Sequence, residues 1–132
     1  MYLLDTNACI QILNKTSSLL VRRLRRHEPW EIHLCSVVKG ELLYGAWHSG
    51  KVTENLRVLA DFFSPFPSLP FDDPSADHYG QIRAFLARAG ALIGPNDMLI
   101  AATARAHGLV LVTHNVDEFS RVPDLQFEDW EV

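Results

Sequence analysis

Apolar positions along this chain keep two spacings. Met1–Leu4, Ile32–Cys35 and Leu109–Val112 are short, nearly unbroken apolar runs. Such runs suit strands buried on both faces of a sheet. Between them the spacing changes to helical: Leu56, Leu59, Ala60 and Phe63 repeat at i, i+3, i+4 and i+7, which predicts a helix over 52–63. Punctuation residues bound the other helices. They are Thr6–Asn14, then Leu19–His27 capped by Ser17 or Ser18 and stopped by Pro29. Val37–His48 follows, capped by Ser36; then Pro74–Ala89 capped by Asp72 or Asp73, with Tyr79, Ile82, Leu86 and Ala89 facing in. Asn96–His107 is stopped by Gly108. A brief strand is predicted near Leu69–Phe71 and an alternating edge strand at Leu125–Glu128. Strands alternating with helices imply one α/β domain over 1–132, with a central, mainly parallel sheet flanked by helices.

In such sheets ligands gather beyond the carboxyl ends of the strands. Asp5 stops the first apolar run at that end. Glu41 falls on the inward stripe Val38, Glu41, Leu42, Gly45 of its helix, where an unpartnered carboxylate costs several kcal/mol. Asp97 lies in the first turn of its own helix. Each has an ordinary explanation alone: Asp5 as a helix cap, Glu41 reaching out to solvent, Asp97 complementing a helix dipole. Together they can reach one sheet edge. Three carboxylates meeting there repel one another unless a cation sits between them. An all-oxygen set suits Mg²⁺, with Mn²⁺ as the alternative.

Composition narrows the classes. The 132 residues are 48% hydrophobic and 21% charged, which excludes disorder. No apolar run approaches the roughly 18 residues that span a bilayer, and no leader pattern opens the chain, so a cytoplasmic protein with no membrane association is expected. Cys9 and Cys35 are the only cysteines and are read as small buried residues rather than a disulfide. The net charge of −4 argues against nucleic-acid binding by bulk charge. One stretch runs the other way: Arg22, Arg23, Arg25 and Arg26 fall within five residues, a candidate RNA-phosphate contact whose ordinary reading is a solvated helix face.

Four segments in register carry a family resemblance. Leu3-Leu4-Asp5-Thr6-Asn7 resembles the opening motif of PIN domains, and Glu41-Leu42-Leu43-Tyr44-Gly45-Ala46 their second acidic motif. Gly94-Pro95-Asn96-Asp97 with Ile100-Ala101-Ala102 resembles the third, and Leu111-Val112-Thr113-His114-Asn115-Val116-Asp117-Glu118-Phe119 the fourth. The closing Arg121-Val122-Pro123 turn and the run from Leu125 to Trp130 are also similar to that family. The match covers the whole chain and points to the VapC-type toxins of type II toxin–antitoxin pairs.

The resemblance implies a sheet of order 3-2-1-4-5 and a Mg²⁺-dependent endoribonuclease acting on tRNA or another structured RNA. It also implies a homodimer and neutralisation by a VapB-type antitoxin. Asp5, Glu41 and Asp97 map onto the family's acidic positions, as catalytic residues and metal ligands. Thr6, Asn7, Ser36, Thr113 and Asn115 are candidates to orient those carboxylates or touch phosphate. Two positions depart from the pattern. Asn115 stands where many PIN domains carry a fourth acid, with Asp117 as the nearby substitute ligand, and Val38 stands where relatives often carry threonine. Tyr44, Trp47, Phe62 and Phe63 form aromatic surface suited to dimerisation or antitoxin docking. Rival readings are a catalytically weak PIN-like module that binds RNA or a partner, and a Mg²⁺-dependent phosphatase or receiver domain. Against the latter, Asn7 replaces the phosphatase's second aspartate, and Thr113-His114-Asn115 lacks the receiver's lysine.

Overall fold

The computed structural model describes residues 1–132. Its elements run β1 (Tyr2–Leu4), α1 (Thr6–Asn14), α2 (Ser18–Leu24), β2 (Ile32–Cys35), α3 (Ser36–Trp47), α4 (Val52–Phe63), β3 (Ser68–Leu69), α5 (Asp73–Arg88), α6 (Pro95–Ala106), β4 (Val110–Val112), α7 (Val116–Phe119) and β5 (Phe127–Glu128), with a 3₁₀ turn at Pro29–Glu31. The five strands form one sheet of order β3-β2-β1-β4-β5, parallel throughout, the order the resemblance implies.

The central strand β1 pairs Leu3 with His33 of β2 and with Leu111 of β4. Leu3, Leu4, Leu34, Leu111 and Val112 are almost wholly buried, as strands covered by helices require. Burial of each such side chain stabilises the fold by about 1.5–3 kcal/mol. Cys9 and Cys35 are buried and unbridged. Helices α3 and α4 pack as a hairpin, α5 packs along α6, and α1 contacts both α2 and α3. Gly108, at φ +64°, reverses the chain between α6 and β4, and Leu109 N–H then bonds back to the Ala104 carbonyl. That left-handed step is what glycine supplies after a helix.

Several boundaries differ from the sequence reading. Helix α2 ends at Leu24, before the Arg25–Arg26 turn; Pro29 opens the 3₁₀ turn and does not stop a helix. Helix α3 starts directly from β2: Cys35 occupies the capping position, and the Ser36 hydroxyl donates to the Leu69 carbonyl at 3.4 Å. Its buried line is Val38, Leu42 and Ala46, with Gly45 exposed and Glu41 half-buried beside that line. On α5 Ile82 and Leu86 are buried but Ala89 is exposed. Strand β3 stops at Leu69, before Pro70, whose missing N–H breaks the ladder. The one-turn helix α7, over 116–119, replaces what reads as loop, pinned by the fully buried Phe119.

Candidate active site

Asp5 leaves the end of β1 with its backbone N–H still bonded to Val112 of β4. Its side chain caps α1: Oδ1 accepts the Ala8 N–H at 2.8 Å. That contact uses one carboxylate oxygen and fixes the direction of the other. Asp5 is only 4% exposed. Burial raises its pKa; hydrogen bonding from Thr113 and Ala8 opposes this, and the charges of Glu131 and Glu41 add to the rise.

Glu41 comes from the first half of α3 and is held across the site by α1, where the Thr6 hydroxyl donates to its Oε1 at 2.7 Å. Asp97 sits in the first turn of α6, which begins at Pro95 with Gly94 in the capping position. Its carboxylate curls back over Gly94, where a Cβ would lie 3.4 Å from Oδ2. Asp97 is pushed up to about 7, first by burial, then by a hydrogen bond and repulsion from Glu118, then by the charges of Asp5 and Glu41.

Asp5, Thr6, Asn7, Ile10, Glu41, Asp97 and Asn115 line one open cavity of about 360 Å³. No lysine or arginine is among them. The three sequence-nominated acids thus meet at one sheet edge, with Thr6, Asn7 and Asn115 around them and Thr113 buried behind Asp5. Ser36 is not brought in; it faces β3.

A further acid, Glu118, which the motif reading passes over in favour of Asp117, stands against Asp97 just outside the cavity lining. Asp117 is exposed, and its backbone carbonyl accepts the Ser120 hydroxyl. Adjacent residues of a helix point about 100° apart, whereas i and i+3 share a face. Asn115 and Glu118 share one, and the Asn115 amide donates to Glu118 Oε2 at 3.1 Å. A helical reading of Val116–Phe119 would have found it.

Beside this set, His114 bonds Asp129 at 2.8 Å. That contact raises the imidazole pKa, with Asp129's charge and then Glu131's adding to it. The arginine run divides. Arg23 donates to the carbonyls of Asp129 (2.9 Å) and Val132 and so ties α2 to the C-terminal segment. Arg22 and Arg25 line a separate groove. Of the aromatic set, Phe62 and Phe63 pack partly into the core, while Tyr44 and Trp47 stay two-thirds exposed. A third groove of about 440 Å³, mostly apolar, runs between α1, α3 and α4 and shares Ile10 and Glu41 with the acid cavity.

The donor set is a fit test for a divalent ion. Three carboxylates in the cavity, a fourth beside Asp97, no histidine or cysteine, and an Asp97 pushed towards neutrality by burial and then by its acidic neighbours make a site short of positive charge.

The chain resembles known proteins along nearly its whole length. Residues 2–125 match the PIN domain family model. The chain is 45% identical to the tRNA(fMet)-specific endonuclease VapC of Shigella flexneri over 98% of this chain and 97% of that protein. It is 38% identical to Ribonuclease VapC2 of Haemophilus influenzae, again over 98% and 97%. Among solved structures it superposes on DNA-bound VapBC from Salmonella typhimurium with a TM-score of 0.92 at 40% identity, covering 98% of this chain and 97% of that one. VapBC2 from Rickettsia felis gives 0.91 at 36% identity, covering 98% of each. The chain belongs to the PIN-domain family, among the VapC ribonucleases of toxin–antitoxin pairs.

Proposed function

We propose that this chain is a divalent-metal-dependent endoribonuclease, the toxin of a type II toxin–antitoxin pair, cutting tRNA or another structured RNA in the cytoplasm. The observation that carries the reading is the meeting of Asp5, Glu41 and Asp97 in one open cavity, with Glu118 against Asp97. Those four residues would hold the ion, with Mg²⁺ the best match to an all-oxygen set and Mn²⁺ the alternative. When bound, such an ion acidifies water and offsets charge on the phosphate oxygens.

The protein's own groups do the positioning. Thr6 fixes one oxygen of Glu41 and leaves the other free. Ala8 and Thr113 hold Asp5, and Asn115 holds Glu118 beside Asp97. Asn7, exposed at the cavity mouth, is placed to donate its amide to a phosphate oxygen. Asp97 gives up its proton before it can serve as a ligand, so ion binding and deprotonation are linked. Hydrolysis by water leaves a 5′-phosphate and a 3′-hydroxyl and does not need the RNA 2′-hydroxyl.

A VapB-type antitoxin fits the apolar groove between α1, α3 and α4. Because that groove and the acid cavity share Ile10 and Glu41, a segment seated in it reaches the chemistry directly. The exposed Tyr44 and Trp47 extend this face for the antitoxin or for a second copy in a homodimer. The test is RNA end-mapping after incubation with purified protein. Wild type with Mg²⁺ yields 5′-phosphate ends; excess EDTA or Asp97→Asn abolishes them. Cleavage surviving both treatments overturns the reading.

A further inference from the structure

Three cations converge where α1 meets α2. Lys15, Arg22 and Arg25, together with Ser18, border a groove of about 570 Å³ floored by Ile12, Val21 and Leu24. None of the three is within ion-pair distance of a carboxylate; every ion pair in the fold involves a histidine instead. An acidic chain of net charge −4 therefore leaves three positive groups unneutralised on one concave surface. That concentration is an electrostatic footprint for a polyanion.

Lys15 offers a clean way to test the charge. It occupies the C-terminal position of α1 at φ +54°, a left-handed conformation that glycine or asparagine adopts with less strain. Replacing Lys15 with asparagine therefore removes the charge without costing backbone stability.

The groove and the acid cavity share no lining residue, but one helix borders both. Helix α1 contributes Thr6, Asn7 and Ile10 to the cavity at one end and Ile12 and Lys15 to the groove at the other. Asn7, Gln11 and Lys15 fall at i, i+4 and i+8, a polar stripe without an acid that covers about 12 Å at 1.5 Å per residue. We propose that the α1–α2 groove is the docking track for the RNA backbone, with Lys15, Arg22 and Arg25 holding phosphates flanking the scissile bond. The apolar floor gives a ribose or base edge a surface to rest on. Arg23, drawn away to the C-terminal carbonyls, takes no part. The inference rests on the ribonuclease reading and names how that site collects its substrate.

The experiment uses the whole chain and a tRNA substrate. Steady-state cleavage is measured for Lys15→Asn, Arg22→Gln/Arg25→Gln and the triple variant, with Arg57→Gln on the exposed face of α4 as control. RNA binding by the same variants in an Asp97→Asn background is followed across a salt series. The triple variant is expected to raise KM about tenfold with kcat retained. Its slope of log affinity against log salt should fall by about 2, three contacts at about 0.7 each for single-stranded RNA. Lys15→Asn should keep or raise the melting temperature while still raising KM, which separates charge from folding. Unchanged KM and salt slope in the triple variant overturn the inference. Lost antitoxin affinity with intact RNA binding overturns it too and assigns the groove to an acidic protein segment. A wild type that cuts no RNA brings down the ribonuclease reading itself.

Discussion

Asp5 accepts the Ala8 backbone N–H at 2.8 Å through Oδ1, so the same carboxylate caps α1 and lines the acid cavity. Capping and ligation are two uses of one side chain, not alternatives, and they separate by substitution. Asparagine caps about as well as aspartate, whereas alanine loses about 1 kcal/mol of helix stabilisation. Asp5→Asn is expected to melt within a few degrees of wild type yet lose about 100-fold or more in cleavage rate, comparable to deleting a transition-state charge contact. Asp5→Ala should lose the activity and the cap together. Thermal melts paired with RNA turnover check this; an active Asp5→Asn removes Asp5 from the chemistry.

Asp97 and Glu118 predict a pH dependence. In the ion-free protein Asp97 is pushed up to about 7, above its ordinary acidic range. Between its unfolded and folded values the folded state holds a proton that the unfolded chain has released. Stability therefore falls as pH rises from about 4 to about 7 and levels off beyond. Asp97 is partly solvent-screened, so the loss is about 1 kcal/mol. Melting in EDTA should occur at lower temperature near pH 8 than near pH 5, and Asp97→Asn should narrow the gap. At limiting Mg²⁺ the cleavage rate should climb through about pH 7, because the ion competes with that proton; saturating Mg²⁺ should move the midpoint lower.

Glu118 and Asp117 are adjacent in sequence and separate in space. Glu118→Gln keeps the Asn115 contact in part but removes the charge facing Asp97. It should lower kcat/KM by about 10- to 100-fold and bring the Asp97 titration down. Asp117→Asn, on the exposed side of α7, should stay within about twofold of wild type, as surface substitutions usually do. Equal losses in the two variants would remove the assignment of the fourth acid.

Arg23 anchors the fold. Its guanidinium holds two C-terminal carbonyls, next to the stack of His27 on Trp130 at 5.1 Å. Arg23→Ala should destabilise by about 1–2 kcal/mol through those charge-assisted bonds, read by denaturant titration. KM for RNA should stay near wild type, in contrast to the Arg22/Arg25 pair.

What the sequence made legible follows the strength of its local signals. Leu3-Leu4-Asp5 and Leu111-Val112 announce buried strands, because nothing but two-sided burial suits them. Asp5, Glu41 and Asp97 stand out as acids where apolar or capping residues also belong. Glu118 escaped because its helix has a single turn, too short for any periodicity to appear. Ser36 was over-read because serine before a helix normally caps it; β2 runs into α3 without a gap, and the strand's last residue takes that place. Arg23 differs from Arg22 and Arg25 only through contacts with residues more than 100 positions away, which no window of sequence contains.

Val58, half-exposed on α4, tests the apolar groove. It lines that groove opposite Glu41 and does not touch the acid cavity. An aspartate there puts a charge on the surface an antitoxin segment must desolvate, a penalty of about 2 kcal/mol or more at a central interface position. Val58→Asp is therefore expected to cut RNA at the wild-type rate while needing about 30-fold more antitoxin for half-inhibition, since each 1.4 kcal/mol is tenfold. Glu41→Gln should behave in the opposite way, losing turnover and retaining antitoxin binding. Cleavage assays titrated with antitoxin give both readouts. Inhibition of Val58→Asp at the wild-type antitoxin ratio would place the antitoxin on another face.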